Sequence, residues 1–365
     1  MSQMINYIKT IILFFPFFFY AQNTKITILD KLDKKPLIGM QILSGNGSFI
    51  GNSNSIGEFE FDLADLRQQN IKSIMVYDSD YLPIEYKIDE IPNIVYSEKI
   101  RHYELETVVI AKKGSKEYYT VKGFFRSWQL VNGKLIKYGD GMIDYHMPYA
   151  DVNNDYNTGV KSYVTSYRTF KGDSLKQRLR IIKTPPLDGY LGVSRIPKNN
   201  LLKRNRRYLV NRLKDNTGDI YIEDKKKGFV VYDENNNPSL INVSTNSEED
   251  EVIQGPFQKV TGKWKQIEKW TGDGNVKHPT YIFYSGKIID KTKVNGKSNI
   301  IETIHEIFID DDIIADDLKP EIKTFINKDR SFYNTEYWKE QIKIHPLPSA
   351  IDEQLINVNE NKNSY

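Results

Sequence analysis

Short runs of alternating apolar and polar residues, closed by Asn-Gly or other polar turns, recur along this chain and restrict it to a β-rich fold. Ile26-Thr27-Ile28-Leu29 is one such run, and Asp33-Lys34-Lys35-Pro36 is a turn. Glu58-Phe59-Glu60-Phe61 places both Phe on one face of a strand. Ile71, Ile74 and Val76 mark a core strand. Asn132-Gly133 is a hairpin signal between the strands expected over 118–129 and 134–145, because both residues tolerate positive φ. A second hairpin is expected from 218–223 and 228–232 across Lys225-Lys226-Lys227. Tyr281-Ile282-Phe283-Tyr284, Asn295-Gly296 and residues 300–309 repeat the theme. Ile300, Ile304 and Phe308 also fit a helical period, but the density of Ile favours a strand. The few helical candidates are 199–214, 318–327 and 332–341.

A length of 365 residues suggests two domains. With 51 Lys+Arg against 48 Asp+Glu, the formal charge is only +3, so nucleic-acid binding is not implied. The chain has no Cys, which excludes disulfides, thiolate zinc sites, iron–sulfur clusters, Cys nucleophiles and a lipid-modified Cys.

Residues 1–21 read as a secretory signal peptide. Lys9 precedes an apolar run from Ile11 to Tyr20, and Ala21 offers a small residue for cleavage, although Phe19 fits the small-residue rule poorly. The run is about half the ~20 residues that span a bilayer. The expected product is an exported protein of the periplasm or the periplasmic face of the outer membrane. Without Cys, membrane association would be peripheral.

Residues 24–110 then read as short strands without a long helix, which predicts a small sandwich. Lys35-Pro36-Leu37-Ile38-Gly39-Met40-Gln41-Ile42, Asn54-Ser55-Ile56-Gly57-Glu58-Phe59-Glu60-Phe61 and Leu105-Glu106-Thr107-Val108-Val109 occur in the order of a known module. The stretch resembles the carboxypeptidase-regulatory-like domain, a seven-stranded, transthyretin-like sandwich. Asp78-Ser79-Asp80-Tyr81 departs from that module's usual Gly-Tyr. The resemblance implies a non-catalytic appendage. His102, His146, His278, His305 and His345 form no H-x-x-E or H-E-x-x-H pattern, so a zinc peptidase is not expected. The module also precedes TonB-dependent transporter barrels, but residues 111–365 are too few for a plug and 22 strands of roughly 9–11 residues. A smaller outer-membrane barrel fails at its end. Stepping back by two from Tyr365 gives Asn363, Asn361, Asn359 and Asn357, which cannot face lipid.

Residues 111–116 read as a basic linker, 117–355 as a larger antiparallel sheet domain and 356–365 as a disordered tail. Gly123-Phe124-Phe125-Arg126, Tyr138-Gly139-Asp140, Pro148-Tyr149, Tyr337-Trp338 and Pro346-Leu347-Pro348 are similar to a family of exported proteins of unassigned function. Those pair the sandwich with a strongly curved sheet like that of periplasmic lipoprotein carriers. The expected fold class is therefore mainly β: a seven-stranded sandwich followed by a larger curved antiparallel sheet with a few helices.

Candidate sites are weak. Asp151, Asn153, Asp155 and Asn157 alternate like a calcium loop, but Tyr156 and Ser162 occupy the positions that need Gly and Glu. Asp310-Asp311-Asp312 with Asp316-Asp317 reads as a solvated run. Asp140 and Asp144 share a strand face but lie ~13 Å apart, beyond the spacing of glycosidase carboxylates. No Ser sits in G-x-S-x-G. The basic stretch of residues 203–214, with Lys203, Arg204, Arg206, Arg207, Arg212 and Lys214, suits an anionic envelope surface or a solvated face. Trp128, Trp264, Trp270 and Trp338 are either a sugar platform or core. No catalytic, metal or cofactor residue is assigned. The expectation is a non-enzymatic envelope protein that binds a partner or hydrophobic ligand along the aromatic strands at 118–128 and 281–284. The alternative is a carbohydrate-binding protein or glycoside hydrolase.

Overall fold

The computed structural model describes residues 23–100, 118–149, 159–171, 199–213, 216–244, 251–253, 258–272, 276–292, 298–316, 326 and 330–362. The described strands form three sheets. The first seven are β1 (Asn23–Asp30), β2 (Gln41–Ser44), β3 (Phe49–Asn52), β4 (Glu58–Asp62), β5 (Ser73–Asp78), β6 (Tyr81–Lys87) and β7 (Ile94–Ser97). They make a three-stranded sheet, β4-β1-β7, and a four-stranded sheet, β3-β2-β5-β6. Ile26 and Ile28 of one meet Ile42, Ile74 and Val76 of the other in a shared core. A short helix, α1 (Leu63–Gln68), adds Leu66 to it. Asp62 caps α1 by accepting from the amide of Ala64, which satisfies one of the donors exposed at a helix start.

The remaining strands are β8 (Tyr118–Val131), β9 (Lys134–Pro148), β10 (Lys161–Lys171), β11 (Leu209–Arg212), β12 (Thr217–Ile222), β13 (Lys225–Tyr232), β14 (Pro238–Ser244), β15 (Glu251–Ile253), β16 (Gln258–Thr271), β17 (His278–Thr292) and β18 (Ser298–Asp316). They build one 11-stranded sheet in the order β10-β9-β8-β18-β17-β16-β14-β13-β12-β11, with β15 paired to β16. Every pairing is antiparallel, including the long-range pairing of β18 with β8. The turn between β8 and β9 is Asn132-Gly133, with φ of 51° and 75°. The next expected hairpin also forms, but its turn is Glu223-Asp224, at φ 49° and 62°, and Lys225-Lys226-Lys227 belong to β13.

The large sheet is apolar on both faces, so both must be covered. One face carries Phe124 and Trp128 of β8, Tyr138 of β9, Ile304 and Phe308 of β18, Tyr281 and Phe283 of β17 and Ile267 of β16. Leu43 of β2 and Met75 and Tyr77 of β5 pack onto it. Those two strands alternate between layers: Ile42, Ile74 and Val76 face the sandwich interior, while Leu43, Met75 and Tyr77 face the large sheet. The second face carries two clusters. Tyr119, Val121, Phe125, Ile143, Tyr145 and Ile309 form one. Ile220, Val230, Ile241 and Val243 form the other, together with Leu201 and Tyr208.

Two helices, α3 (Trp338–Ile344) and α4 (Ser349–Lys362), close the chain over the first face. Leu347, Ile351 and Leu355, spaced by four, join the core of Trp128 and Leu135. Gly47, at φ 89°, lies where α4 meets the sandwich, and a Cβ there would stand 2.8 Å from Ile351. Its carbonyl accepts from the Trp128 indole at 2.9 Å.

Several expectations change. Residues 356–362, expected in a disordered tail, continue α4, because the apolar spacing before them is helical rather than strand-like. The helix expected over 332–341 starts at Trp338 and ends at Ile344. The helix expected over 199–214 is a single turn, α2 (Leu201–Arg204), followed by edge strand β11. Tyr208 and Leu201 anchor that segment on the sheet, and Val210 pairs with Ile220, so pairing outweighs helical propensity. The expected signal peptide, the strand at 104–110, the linker, Asn295-Gly296 and nearly all of 318–327 lie outside the described residues.

Because Met75 belongs to the core shared by sandwich and sheet, Met75→Ala should lower stability by about 2–5 kcal/mol. All four Trp lie beyond residue 127 in the sequence. Denaturant unfolding followed by Trp fluorescence should therefore register a substitution made in the sandwich. An unchanged fluorescence midpoint would show that the two parts do not unfold together.

Candidate functional site

The most constrained chemistry sits where sandwich, sheet and C-terminal segment meet. Cross-strand register aligns Glu306 of β18, Arg126 of β8, Asp140 of β9 and Arg168 of β10 in one row, with charge alternating in sign. Glu306, Arg126 and Asp140 are fully buried. Arg126 Nε donates to Glu306. Arg168 Nη2 donates to Asp140 Oδ2 at 2.6 Å. Phenols satisfy the remaining acceptors: Tyr77 and Tyr281 donate to Glu306, the latter at 2.7 Å. Tyr138 and Tyr337 donate to Asp140 at 2.7 and 3.1 Å. Arg126 Nη1 donates to the carbonyls of His345 and Pro346, which ties down the chain between α3 and α4. The His345 ring stacks on Phe308 with centroids 3.9 Å apart.

Burial raises the Glu306 carboxyl well above its ordinary range and lowers Arg126, so burial disfavours the charged form of each. A second ionic contact holds the sandwich to the sheet. Lys269 Nζ of β16 donates to Asp78 and to Asp80, the latter at 2.7 Å. Burial opposes charge on Lys269, but the two carboxylates outweigh it and hold the ammonium above the ordinary lysine range.

Asp140 and Asp144 do not form an acid–base pair. Asp140 is spent on Arg168 and two tyrosines, while Asp144 faces Lys122 and Tyr163 across its neighbouring strands. The four Trp are not a platform. Trp128 is in the core and Trp338 packs edge-on to Tyr333. Trp264 and Trp270 pack on the second face. Asp151, Asn153, Asp155 and Asn157 lie outside the described residues, as do His102 and Asp317. Asp310 falls at an irregularity in the pairing of β18 with β8. Among the described residues, no group of three or more His, Asp or Glu is placed to hold a metal ion.

Of the basic stretch, Arg204 reaches the fully buried Glu268, and Arg212 stacks over Tyr232 at 3.8 Å. Glu268 also accepts from the Leu201 amide at 2.9 Å and the Trp270 indole at 3.0 Å. Beside it, a cleft of about 150 Å³ opens between Asn199, Asn200, Lys203, Asp233, Asn237, Trp270 and Lys277. Lys265 of β16 is pushed down to about 7 by burial, with Ser244 and Ser285 as cross-strand neighbours. Serine neighbours supply no charge to activate it further. His305 of β18 contacts Ser127 and stacks near Tyr284.

Neither the ionic row nor the Glu268 cluster was singled out from the sequence. A signal existed, since Arg126 interrupts Phe124-Phe125-Arg126-Ser127-Trp128 and Glu306 interrupts Ile304-His305-Glu306-Ile307-Phe308. A charge inside an apolar strand demands a partner.

No family model matches the chain, and no curated protein matches it. One solved structure, described as "lipid-protein interactions in lipovitellin", aligns over 56% of this chain at 8% identity and a TM-score of 0.25. The alignment spans about a quarter (26%) of that structure's own chain. Likeness at that level carries no argument about fold or ligand.

Arg126→Met should cost about 3–5 kcal/mol, because it leaves Glu306 buried without its cation. Adding Glu306→Leu should recover a large part of that loss in equilibrium denaturation. A double variant no more stable than the single one would show that the row is not a self-neutralising unit. The pH dependence follows from His305, which burial lowers to about 3, against ~6.5 in an unfolded chain. Between those values the unfolded chain binds a proton that the folded chain does not. Stability is therefore full above the unfolded value and falls by about 1.4 kcal/mol per pH unit as pH drops toward the folded one. Unfolding curves from pH 7 to 4.5 should show His305→Gln with a slope shallower by that amount. Parallel slopes would refute the assignment.

Proposed function

We propose that this chain is a non-catalytic binding protein of the cell envelope, exported by residues 1–21, whose large sheet holds a hydrophobic ligand or an apolar partner surface. The observation that carries the reading is how the two apolar faces are used. The first face, whose Phe124, Trp128, Tyr281 and Phe283 lie on the aromatic strands singled out in the sequence, is covered by the chain's own sandwich and C-terminal helices. The second face holds a separate aromatic and aliphatic cluster around Tyr119, Val121, Phe125, Ile143 and Tyr145. Ile326 and Val276 also pack on that cluster, whose members Tyr119, Val121, Phe125, Ile143 and Tyr145 are buried. Apolar walls with a few polar groups suit a hydrophobic ligand, and the buried Tyr119 hydroxyl, which donates to the Lys277 carbonyl at 3.1 Å, supplies one such group.

The large charged groups of the first face support a non-catalytic role. Glu306, Arg126 and Asp140 are consumed by one another and by phenols, which leaves them no access to a substrate. The sandwich is then a fixed lobe of the binding body rather than a freely tethered module, given its contacts through Tyr77, Asp78 and Asp80.

Native mass spectrometry of the chain recovered from its own periplasm by gentle lysis should show a polypeptide starting near Gln22 and carrying a lipid or acyl mass. A clean apo mass, with nothing released into organic solvent, would eliminate the hydrophobic ligand. A polypeptide retaining residues 1–21 in the cytoplasmic fraction would eliminate the envelope.

A further inference from the structure

We propose that the cleft beside Glu268 is a binding site for an acidic saccharide, a single sugar ring carrying a carboxylate. This inference does not rest on the hydrophobic-ligand reading, because the cleft is polar and is built by other residues. Its walls come from four places in the chain: the segment that starts α2, the turn joining β13 to β14, the end of β16 and the start of β17.

Each wall contributes a different chemistry. Trp270 offers an aromatic side chain, and its indole N–H is already satisfied by Glu268 at 3.0 Å, which fixes the ring in place. The same buried carboxylate accepts from the Leu201 amide and from Arg204, so it also fixes the short helix that carries Lys203. Such support from behind is what holds a recognition surface in register before a ligand arrives. Lys277, just before β17, donates to the Asn237 carboxamide rather than to a carboxylate. Asp233 accepts from the Asn237 amide at 2.7 Å and lines the cleft with acceptor capacity left for a hydroxyl.

The charge count selects the ligand. Two lysines against one aspartate leave the cleft net positive, which favours an anion. A bare inorganic anion would make no use of Trp270, whose side chain lines the cleft and can meet the C–H side of a pyranose. The volume, about 150 Å³, lies below the ~300–1,000 Å³ of pockets that take drug-sized molecules. One ring fits that space, whereas a dinucleotide does not.

The test is calorimetric titration of the full mature chain at low salt with three probes: glucuronate, glucose and inorganic phosphate. Glucuronate should bind in the millimolar range and about 10-fold more tightly than glucose or phosphate, the difference expected for one charge-assisted contact added to ring stacking. The double variant Lys203→Gln, Lys277→Gln should lose about 10-fold for glucuronate and leave glucose unchanged. Both side chains have solvent access, so its melting temperature should stay that of the parent. Equal affinity for glucose and glucuronate would remove the acidic component, and phosphate binding as tightly as glucuronate would reduce the site to a plain anion site. No heat with any probe, or glucuronate binding untouched in the double variant, would overturn the proposal. None of these results bears on a lipid mass carried by the chain, so the two readings fail separately.

Discussion

Burying charge inside a β-sheet is tolerated only when every charge is matched at the moment the strands pair, and the row Glu306–Arg126–Asp140–Arg168 satisfies that condition across four strands at once. Each member is costly alone, since an unpaired ion in the interior loses its hydration without compensation. In sequence the partners are far apart: 180 residues separate Arg126 from Glu306. The row therefore forms only when β18 pairs with β8 in the observed register. A slip of β18 by one residue would turn Glu306 to the opposite face, away from Arg126. The same row needs Tyr77 from the sandwich and the His345 and Pro346 carbonyls from the C-terminal segment. Register, domain placement and chain ending are specified together.

That coupling explains the pattern of β2 and β5, where β2 throughout and β5 from Ile74 to Asp78 are buried on consecutive rather than alternate residues. A sandwich standing alone would keep Leu43, Met75 and Tyr77 in water. Here they complete the core of another sheet. Asp78 and Asp80 follow the same logic. The two carboxylates grip Lys269 of the large sheet.

Much of the fold was legible because hairpins are local. Alternation of period two, broken by Asn132-Gly133, is enough to place β8 and β9 and the turn between them. The legible part stops where partners are distant. Asp140 reads as an acid–base candidate until Arg168 and Tyr337 are seen to occupy it. Residues 199–214 read as a basic helix because a run of Lys and Arg has good helical propensity. The winning terms are Arg204 binding Glu268 and Val210 pairing with Ile220, neither visible in the run itself. The C-terminal helix was missed for a related reason. A strand period applied to residues 357–363 finds only Asn, whereas the deciding residues, Ile351 and Leu355, are spaced for a helix and lie earlier.

Glu268 and Glu306 show one solution used twice, with different consequences. Both are fully buried carboxylates on long strands of the same sheet, and each recruits an arginine and an aromatic donor. Glu306 lies on the face covered by the sandwich, so its partners close around it and the result is rigidity. Glu268 lies on the other face, near the end of β16, where hairpin turns leave the sheet. Its partners, Trp270 and the turn of α2, are held equally firmly but retain one side toward the cleft. Where a buried charge stands relative to the end of its sheet thus decides whether its network ends as mortar between domains or as the back wall of a site.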